Sequence, residues 1–413
     1  MNFLYNLIVY IAGGLIKFFA LFGPKINQFV KGRAHVNLTL SKSIGKEDRT
    51  IWFHCASLGE FEQGLPVIEK IKTTYPDHKI VLSFFSPSGY EVKKNSDMAD
   101  VIIYLPLDTK KNARQFLNLV HPELIVFVKY EFWPNYLSEI RKRGIKTLSI
   151  SAIFREDQVF FKWYGGWMRE SLNAFTHFFV QNENSKRLLA SIGLDNATVS
   201  GDTRFDRVSE ILKRDNSLAF VKEFKQDNTC LVAGSTWPED ETLLVNYINQ
   251  EAKNGIKFII APHTMKPKGL QRLKDALSKK TVLFSEKEGL NLQDYEVLII
   301  DTIGLLTKIY SYADIAYVGG GMGTNGLHNT LEPATFGIPI IIGKNYGKFK
   351  EVTDLIAMGG IISIKDQVTF NASLNSLLLD NVLYQKTSGI NRDYVQKNEG
   401  AVIQILDYIR TLL

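Results

Sequence analysis

Short apolar runs alternate with stretches of helical periodicity along most of this chain, and the alternation occurs in two successive sets. Continuous apolar runs of this kind are typical of strands that helices bury on both faces, as in parallel sheets. A polar segment, Asp206–Thr229, separates the two sets and is interpreted as the domain junction. The pattern therefore predicts an α/β chain with two Rossmann-like domains, which face a ligand cleft at the carboxyl ends of their strands.

The predicted strands of the first set are Ile51–His54, Ile80–Phe85, Val101–Tyr104, Leu124–Val128, Lys146–Ile150 and His177–Gln181. Those of the second set are Cys230–Ala233, Phe258–Ala261, Val282–Phe284, Val297–Ile300, Ile315–Val318 and Ile338–Ile342. A length of 413 residues agrees with two cores rather than one. The expected domains are residues 34–215 and 216–385, preceded by an anchor and linker at 1–33 and followed by helices at 386–413, which could cross back to the first domain.

Composition excludes several classes of protein. The 49 basic and 43 acidic residues nearly balance, and no nucleic-acid motif is visible, so no nucleic-acid partner is expected. The two cysteines, Cys55 and Cys230, lie far apart in predicted strands, which fits a reducing compartment without disulfides. No cysteine or histidine cluster has metal-ligand spacing, so no metal site is expected.

The N-terminal segment Phe3–Phe22 is apolar and about long enough to cross a bilayer as a helix. Asn6, Lys17 and the pair Gly13-Gly14 weaken the case for full spanning. Basic residues on its C-terminal side place the remaining chain in the cytoplasm. We therefore expect a single uncleaved anchor that either spans the membrane or lies in its interface. The alternative is a helix packed on the domain.

A glycine-rich stretch, Val318–Gly343, joins two predicted strands of the second set. Its early glycines are able to adopt positive φ and expose N–H groups to a phosphate or carboxylate, although ordinary turns also contain such glycines. A helix starting near Asn329 would direct further N–H groups at that anion. Glu332, one turn into this helix, either receives ribose hydroxyls or is a solvated first-turn acid.

Chemically capable residues follow several predicted strands. Glu60 follows the first strand at a helix N-terminus, where a carboxylate is suited to general-base work or to a capping role. Because the helix dipole lowers its basicity, the surroundings must tune the pKa of Glu60. Lys129 follows another strand among aromatic residues, which suggests substrate contact. Arg204 is a candidate anion clamp or the partner of an ion pair with Asp202 or Asp206.

In the second set, segments AGST (Ala233–Thr236) and APHT (Ala261–Thr264) also end strands. The segment Asp301–Leu305 is predicted to begin a helix, with Asp301 or Thr302 as its cap. Several such loops at one sheet edge favour a nucleotide pocket over scattered turns.

A set of motifs taken in order resembles 3-deoxy-D-manno-octulosonic acid (Kdo) transferases of lipopolysaccharide synthesis. The motifs are SLGE (57–60), YEFWPN (130–135), GDTRFD (201–206), AGST (233–236), APH (261–263), DTIG (301–304) and HNTLEPATFGIPIIIG (328–343). The resemblance implies a GT-B glycosyltransferase with CMP-Kdo as donor and the lipid A precursor, lipid IVA, as acceptor. It also implies transfer with inversion, no metal or other cofactor, and a place at the cytoplasmic face of the inner membrane.

The same resemblance implies roles for individual residues. Glu60 matches the catalytic base, and Arg204 stands where the family usually has a lysine that stabilises the transition state. Lys129 stands at a supporting position where many members have an acid. The positions that match nucleotide-binding segments are Pro262, His263, Ile303, Gly304, Leu305, Asn329, Thr330, Leu331 and Glu332. His263 replaces a frequent arginine and Leu305 a frequent glutamate.

The aromatic segment around Trp163 suggests an acceptor side; its members are Phe160, Phe161, Lys162, Trp163, Tyr164 and Trp167. An internal aromatic face is the alternative. Other functions remain open at the sequence level. One is a different GT-B enzyme, such as a lipid A disaccharide synthase or a nucleotide-sugar epimerase. Another is a membrane-attached sugar-nucleotide binding protein without catalysis. The motifs do not fix the number of Kdo residues transferred.

Overall fold

The computed structural model describes residues 2–253 and 255–413. The chain forms two compact units. The N-terminal unit extends to Arg207 and also includes Glu399–Leu413, and the C-terminal unit is Val208–Asn398. The last residues of the chain therefore belong to the same unit as the first.

Each unit contains a parallel sheet of seven strands. The strands of the N-terminal sheet are β1 (Arg49–Cys55), β2 (His78–Phe84), β3 (Val101–Tyr104), β4 (Leu124–Val128), β5 (Lys146–Ala152), β6 (His177–Val180) and β7 (Ala197–Val199). Those of the C-terminal sheet are β8 (Thr229–Thr236), β9 (Ile256–Pro262), β10 (Thr281–Leu283), β11 (Val297–Ile299), β12 (Ile315–Val318), β13 (Ile340–Ile342) and β14 (Ile361–Ser363). These two parallel sheets confirm the prediction of an α/β chain with two sheet-containing domains.

Helices connect the strands and cover both sheets. In chain order they are α1 (Asn2–Phe19), α2 (Pro24–Ala34), α3 (Val36–Ser43), α4 (Leu58–Thr74), α5 (Pro87–Lys93), α6 (Lys110–Val120), α7 (Pro134–Arg143), α8 (Gly166–Leu172), α9 (Glu183–Ala190), α10 (Thr203–Leu212), α11 (Ala219–Lys225), α12 (Pro238–Gln250), α13 (Pro267–Ala276), α14 (Leu306–Ile309), α15 (Leu331–Thr335), α16 (Lys350–Met358), α17 (Gln367–Leu379), α18 (Asn381–Lys397) and α19 (Ala401–Arg410). Short 3₁₀ turns lie at Val159–Phe161, Phe284–Glu286, Leu292–Asp294 and Tyr310–Tyr312.

The N-terminal sheet has the order β3-β2-β1-β4-β5-β6-β7. Successive side chains of a strand point to opposite faces, and β1 shows this directly. Trp52 packs in the apolar layer on one face, whereas Ile51 and Phe53 pack in the layer on the other. Because β1 is buried on both sides from Thr50 to Cys55, its sequence reads as a continuous apolar run.

Helix α19 packs in the apolar layer that contains Ile51 and Phe53. Val402, Ile405 and Ile409 are buried there, and the helix contacts α4. The Asp206 carboxylate accepts hydrogen bonds from the backbone N–H groups of Gly400 and Val402, at 3.0 and 3.3 Å. Asp206 thus caps the start of α19.

Helix α1 lies against the N-terminal unit through one side only. The Tyr5 hydroxyl donates to the Asp108 carboxylate at 2.7 Å, and its ring lies 5.6 Å from that of Trp167. Large apolar side chains on the remaining surface are exposed; they include Phe3, Leu7, Ile8, Ile11, Leu15 and Phe18. Across the described parts of the chain, no helix combines the length and the apolar character needed to cross a bilayer. The spanning form of the predicted anchor is therefore not found.

The C-terminal sheet has the order β10-β11-β9-β8-β12-β13-β14. Alternate residues of its strands, such as Leu231 and Ala233, enter one apolar layer with α12 and α17. Strands β7 and β14 were absent from the prediction, because a polar residue, Thr198 or Ser363, leaves each of them at most two consecutive apolar residues.

The boundary between the two units, after Arg207, lies inside the predicted junction Asp206–Thr229, but this segment is largely helical. It contains most of α10 and all of α11. Phe205, Val208 and Ile211 recur at helical spacing along α10 and are buried. The many charges on the other side of these helices concealed that periodicity.

Candidate active site

In the N-terminal unit, the strand order reverses at β1 and β4, which are hydrogen-bonded neighbours. Ligands of doubly wound sheets bind outside the carboxyl ends of the strands at such a reversal. The segment that follows β1 carries Glu60, and the segment that follows β4 carries Lys129 and Glu131. The topology thus brings candidate residues from two distant parts of the sequence to one place.

Glu60 lies in the first turn of α4. The Ser57 side chain caps this helix by accepting from the Glu60 N–H at 3.4 Å. One Glu60 carboxylate oxygen accepts from the Ala56 N–H at 2.5 Å, so the side chain folds back over the end of β1. The residue is 9% exposed.

Burial controls the ionisation of Glu60. Desolvation, followed by repulsion from the Glu131 carboxylate, raises the pKa of Glu60 to about 7. The Ala56 N–H, the Lys129 ammonium and the Ser57 backbone N–H act in the opposite direction and do not prevent the rise. The expected tuning by the surroundings is therefore present. A carboxylate with this pKa accepts protons readily near neutral pH.

Lys129 and Arg204 belong to the same unit and have different surroundings. Lys129 directly follows β4 and has a positive φ of 71°, and its ammonium lies 5.2 Å from the centre of the Tyr130 ring. The Arg204 guanidinium donates to the Asp202 carboxylate through Nε at 3.0 Å and a terminal nitrogen at 2.9 Å. The sequence left Asp202 and Asp206 as possible ion-pair partners of Arg204. The structure forms this ion pair with Asp202.

The C-terminal unit contains a cavity of about 290 Å³ next to its own reversal at β8 and β12. A cavity of this size is at the lower end of the range for small-ligand sites. Its lining residues are Ser235, Gly304, Leu306, Thr307, Tyr310, Val318, His328, Asn329 and Glu332. Three of the predicted nucleotide-binding residues, Gly304, Asn329 and Glu332, thus meet in one cavity.

Glu332 is held by two neighbours at the wall of this cavity. The Thr307 hydroxyl donates to one carboxylate oxygen at 2.8 Å, and the Asn329 amide donates to the other at 3.1 Å. The Asn329 side-chain oxygen in turn accepts from the Leu331 N–H at 3.0 Å. These bonds fix a carboxylate in one orientation, which is what an acceptor of ribose hydroxyls requires.

Two histidines and a tryptophan form a stack beside the same cavity. The His263 ring lies 4.6 Å from the Trp237 ring and 4.5 Å from the His328 ring. Burial and the nearby His263 lower the pKa of His328 to about 4, so His328 is neutral at pH 7. Its Nε2 accepts from the Trp237 indole N–H at 3.2 Å, which leaves the ring proton on Nδ1.

In the glycine-rich loop, the N–H groups of Gly319 and Gly320 are bound within the protein and are not offered to an anion. The buried Asp240 carboxylate accepts from the Gly320 N–H at 2.8 Å and from the Tyr317 hydroxyl at 2.7 Å. A Cβ at Gly319 would lie 2.4 Å from the Ser235 carbonyl oxygen, so close backbone packing requires glycine there. The loop therefore supports the wall of the cavity, and its Gly320 amide is already bound.

The other predicted nucleotide-binding residues differ in position and exposure. Pro262 ends β9, Leu305 precedes α14, and the Ile303 side chain is 88% exposed. Thr330 and Leu331 are buried at the start of α15.

The predicted helix start at Asp301 or Thr302 was wrong. The helix begins at Leu306, and the Asp301 carboxylate accepts from the Ser285 N–H and hydroxyl instead.

Sequence reasoning missed Thr307, Tyr310 and Glu131 as individual residues. Thr307 and Tyr310 lie just beyond the DTIG motif, three and six residues after Gly304. This helical spacing could have indicated that they share a face with Gly304. Glu131 lay inside the quoted motif YEFWPN, but its effect depends on Glu60 in another loop.

Proteins known as 3-deoxy-D-manno-octulosonic acid transferases are similar to this chain in sequence. Residues 32–207 match a family model described as 3-deoxy-D-manno-octulosonic-acid transferase (kdotransferase). A 3-deoxy-D-manno-octulosonic acid transferase of Haemophilus influenzae is 27% identical over 381 residues, covering 88% of this chain and 87% of that protein. A bifunctional glycosyltransferase/methyltransferase of Fusobacterium nucleatum is 28% identical over 354 residues, which cover 83% of this chain and 53% of that protein.

The fold also has solved counterparts. A UDP-GlcNAc 2-epimerase from Neisseria meningitidis superposes with a TM-score of 0.62 and 16% identity, covering 88% of this chain and all of that one. At this identity the likeness shows a shared GT-B-like fold and does not choose between activities. Together with the ordered motifs, the matched model and relatives show a glycosyltransferase that is similar to 3-deoxy-D-manno-octulosonic acid transferases over most of its length.

Proposed function

We propose that the protein transfers Kdo from CMP-Kdo to the lipid A precursor, lipid IVA, with inversion at the anomeric carbon. An acceptor hydroxyl oxygen bonds to that carbon while the bond from the carbon to the CMP phosphate breaks. The hydroxyl proton passes to Glu60, and CMP leaves with the electron pair of the broken bond. The reaction needs no redox partner.

The observation that carries this proposal is the state of Glu60. Its carboxylate is buried, is oriented by the Ala56 N–H and has its pKa raised to about 7. A general base contributes most when its pKa lies near the working pH. A surface acid in a capping role would have neither the burial nor the shift.

The cavity of the C-terminal unit supplies features that suit a cytidine nucleotide. Glu332 offers two fixed carboxylate oxygens to ribose hydroxyls, and the neutral His328 offers an N–H donor. His263 stands where an arginine is frequent in the family, so this chain has an aromatic stack in place of a permanent charge. We infer that the donor is held more by hydrogen bonds and stacking than by a fixed cation at this position.

The acceptor and the membrane belong to the same proposal. The exposed apolar side of α1, with Ile8 and Ile11 more than half exposed, fits a helix that lies in the interface of the inner membrane at its cytoplasmic face. The exposed Lys17 and Lys31 would meet anionic headgroups. Trp163 is 92% exposed, whereas Phe160 is buried, so the aromatic segment is divided between surface and interior.

A single reaction tests the proposed activity. Purified protein is incubated with CMP-Kdo and lipid IVA, and the products are counted by mass spectrometry. We expect lipid IVA carrying added Kdo, and the count gives the number transferred. UDP-sugars with the same acceptor are the control for another GT-B activity. Product from UDP-sugars alone, or none from any donor, would refute the proposal.

Glu60→Gln tests the assigned base in the same assay. We expect turnover to fall by about 10²- to 10⁴-fold, because the amide cannot accept the proton. CMP binding, measured by calorimetry, should be unchanged, since the cavity of the C-terminal unit is untouched. Near-normal turnover would remove Glu60 from this role.

Binding to vesicles tests the interface proposal. Ile8→Ser combined with Ile11→Ser should weaken co-sedimentation with anionic vesicles. Ile403→Ser is the matched control, since Ile403 is an isoleucine that is 65% exposed on α19. Equal binding by all three proteins would show that α1 does not contact the membrane.

A further inference from the structure

Three aromatic rings beside the cavity of the C-terminal unit come from the carboxyl ends of three neighbouring strands. Trp237 directly follows β8, His263 directly follows β9, and His328 lies in the loop after β12. Strand β8 pairs with β9 on one side and with β12 on the other. The topology of the sheet therefore brings together three side chains that are far apart in sequence.

The fully buried Asp240 fixes the backbone of Trp237 relative to the loop that carries His328. One Asp240 carboxylate oxygen accepts from the Trp237 backbone N–H at 2.9 Å and from the Gly320 N–H at 2.8 Å. The His328 backbone N–H donates to the Gly319 carbonyl oxygen at 3.1 Å. The two side chains are thus placed by backbone segments that are themselves bound to each other.

The Trp237 indole determines which nitrogen of the His328 ring carries the proton. Its N–H lies 3.2 Å from His328 Nε2. An indole N–H only donates, so Nε2 must present a lone pair and the single proton of the neutral ring is on Nδ1. The His263 ring contacts both partners, at 4.6 Å from the Trp237 ring and 4.5 Å from the His328 ring.

The opposite edge of the His328 ring remains for a ligand. A Cβ at Gly320 would lie 3.2 Å from His328 Cδ2, so the ring packs on this glycine through the side that carries Cδ2 and Nε2. Nδ1 is on the other side; it is not fully buried, and it has no hydrogen-bond partner in the parts of the chain that the structure describes. Because His328 lines the cavity together with Glu332, the cavity has a neutral N–H donor near a fixed carboxylate.

We propose that Trp237 is a positioning residue for nucleotide binding, whose indole N–H holds His328 in the tautomer that donates from Nδ1 to an acceptor atom of the bound cytidine nucleotide. The inference rests on the proposed use of CMP-Kdo, and it assigns Trp237 itself no contact with the nucleotide. Without the indole N–H, the neutral His328 ring is free to place its proton on Nε2. Nδ1 would then present a lone pair to the acceptor atom, and the repulsion between the two lone pairs would weaken binding.

Nuclear magnetic resonance of ¹⁵N-histidine tests the tautomer without any ligand. The chain has seven histidines, and the signals of His328 are assigned by their loss in His328→Ala. At pH 7.5 we expect the proton on Nδ1 alone in the wild type and a large share of it on Nε2 in Trp237→Phe. A proton on Nε2 in the wild type overturns the proposal whatever the variants do, and so does an unchanged Nδ1–H form in Trp237→Phe.

Calorimetry with CMP measures what this tautomer contributes to binding. Trp237→Phe keeps an aromatic ring beside His263 and removes the N–H donor. We expect CMP to bind about fivefold more weakly, the effect of losing one hydrogen bond. Trp163→Phe is the matched control, because it makes the same change at a side chain that is 92% exposed in the N-terminal unit, and it should leave the affinity unchanged. Normal affinity in Trp237→Phe would overturn the proposal.

A double-mutant cycle distinguishes this role from general support of the cavity. If Trp237 acts through His328, Trp237→Phe should weaken CMP binding in the wild type but not further in His328→Ala. Loss of packing alone would lower the affinity by the same factor in both backgrounds. That result would refute the positioning role of Trp237.

The outcomes separate this inference from the proposed function. Binding of CMP by the wild type without any transfer of Kdo would refute the function, while the tautomer and the cycle would still decide the role of Trp237. Transfer of Kdo by the wild type, with normal CMP affinity in Trp237→Phe, would refute the role of Trp237 and leave the function intact.

Discussion

Glu60→Gln is expected to make the protein more stable while it lowers the rate of transfer by about 10²- to 10⁴-fold. Burial and Glu131 raise the pKa of Glu60 from 4.5 to about 7 in the folded protein. A group whose pKa is raised on folding contributes stability that is present below the unfolded value and is lost as pH rises through the folded value. At about 1.4 kcal/mol per pH unit, the wild type therefore loses roughly 3 kcal/mol between pH 4.5 and pH 8.

Glutamine avoids this loss because it is neutral at every pH, and its side-chain oxygen is still able to accept from the Ala56 N–H. For a unit of this size, 1 kcal/mol corresponds to roughly 2–4 °C in the midpoint of thermal unfolding. We therefore expect the N-terminal unit of Glu60→Gln to unfold about 6–12 °C above the wild type at pH 8, and at nearly the same temperature at pH 4.5.

Calorimetry at the two pH values measures this difference, with the exposed Glu47→Gln as control for the loss of one charge. The control should unfold like the wild type. The reasoning is refuted if Glu60→Gln gains nothing at pH 8, since an ionised Glu60 would then be at no disadvantage in the folded state. An equal gain at both pH values would point to better packing rather than to charge.

Two further predictions concern other contacts. Thr307→Val removes the hydroxyl that orients Glu332, so CMP should bind about fivefold more weakly by calorimetry, a loss of about 1 kcal/mol, whereas Thr307→Ser should bind normally. Equal affinity of the two variants would mean that Thr307 does not orient Glu332. Asp206→Ala leaves the N–H groups of Gly400 and Val402, at the start of α19, without their acceptor. It should lower the free energy of unfolding of the N-terminal unit by about 1–2 kcal/mol, measured by urea unfolding. The exposed Asp407→Ala is the control and should cause no measurable change.

The sheets were predictable because their strands are buried on both faces. Leu124–Val128 has no polar residue, and its predicted bounds are those of β4. The prediction failed where a polar residue left at most two consecutive apolar residues in a strand, as in β7 and β14. Helix α10 was missed although Phe205 and Val208 carried the right spacing, because charged residues on its outer side gave the segment the composition of a linker.

The positions of the candidate site residues were predictable from the sequence, but their pKa values and their side-chain partners were not. The place of Glu60 after a strand made it a candidate base, yet nothing local fixed its pKa, since desolvation and the repulsion by Glu131 arise from tertiary packing. Likewise the sequence left two partners open for Arg204, and only the folded chain selects Asp202 while Asp206 caps α19. Contacts between residues that are far apart in sequence could therefore be found only from the structure.

The opposing effects on Glu60 explain how a carboxylate at a helix start serves as a base. With its ordinary pKa it would be fully ionised at pH 7.5 but a poor proton acceptor; a pKa of about 7 increases its proton affinity roughly 300-fold and leaves about three-quarters of it ionised. A larger shift would leave too little ionised base. Lys129 lowers the pKa of Glu60 against the combined effect of burial and Glu131, and so limits the shift. Under the proposed function, the positive charge of Lys129, which departs from the family pattern, therefore keeps Glu60 within the useful range of a base.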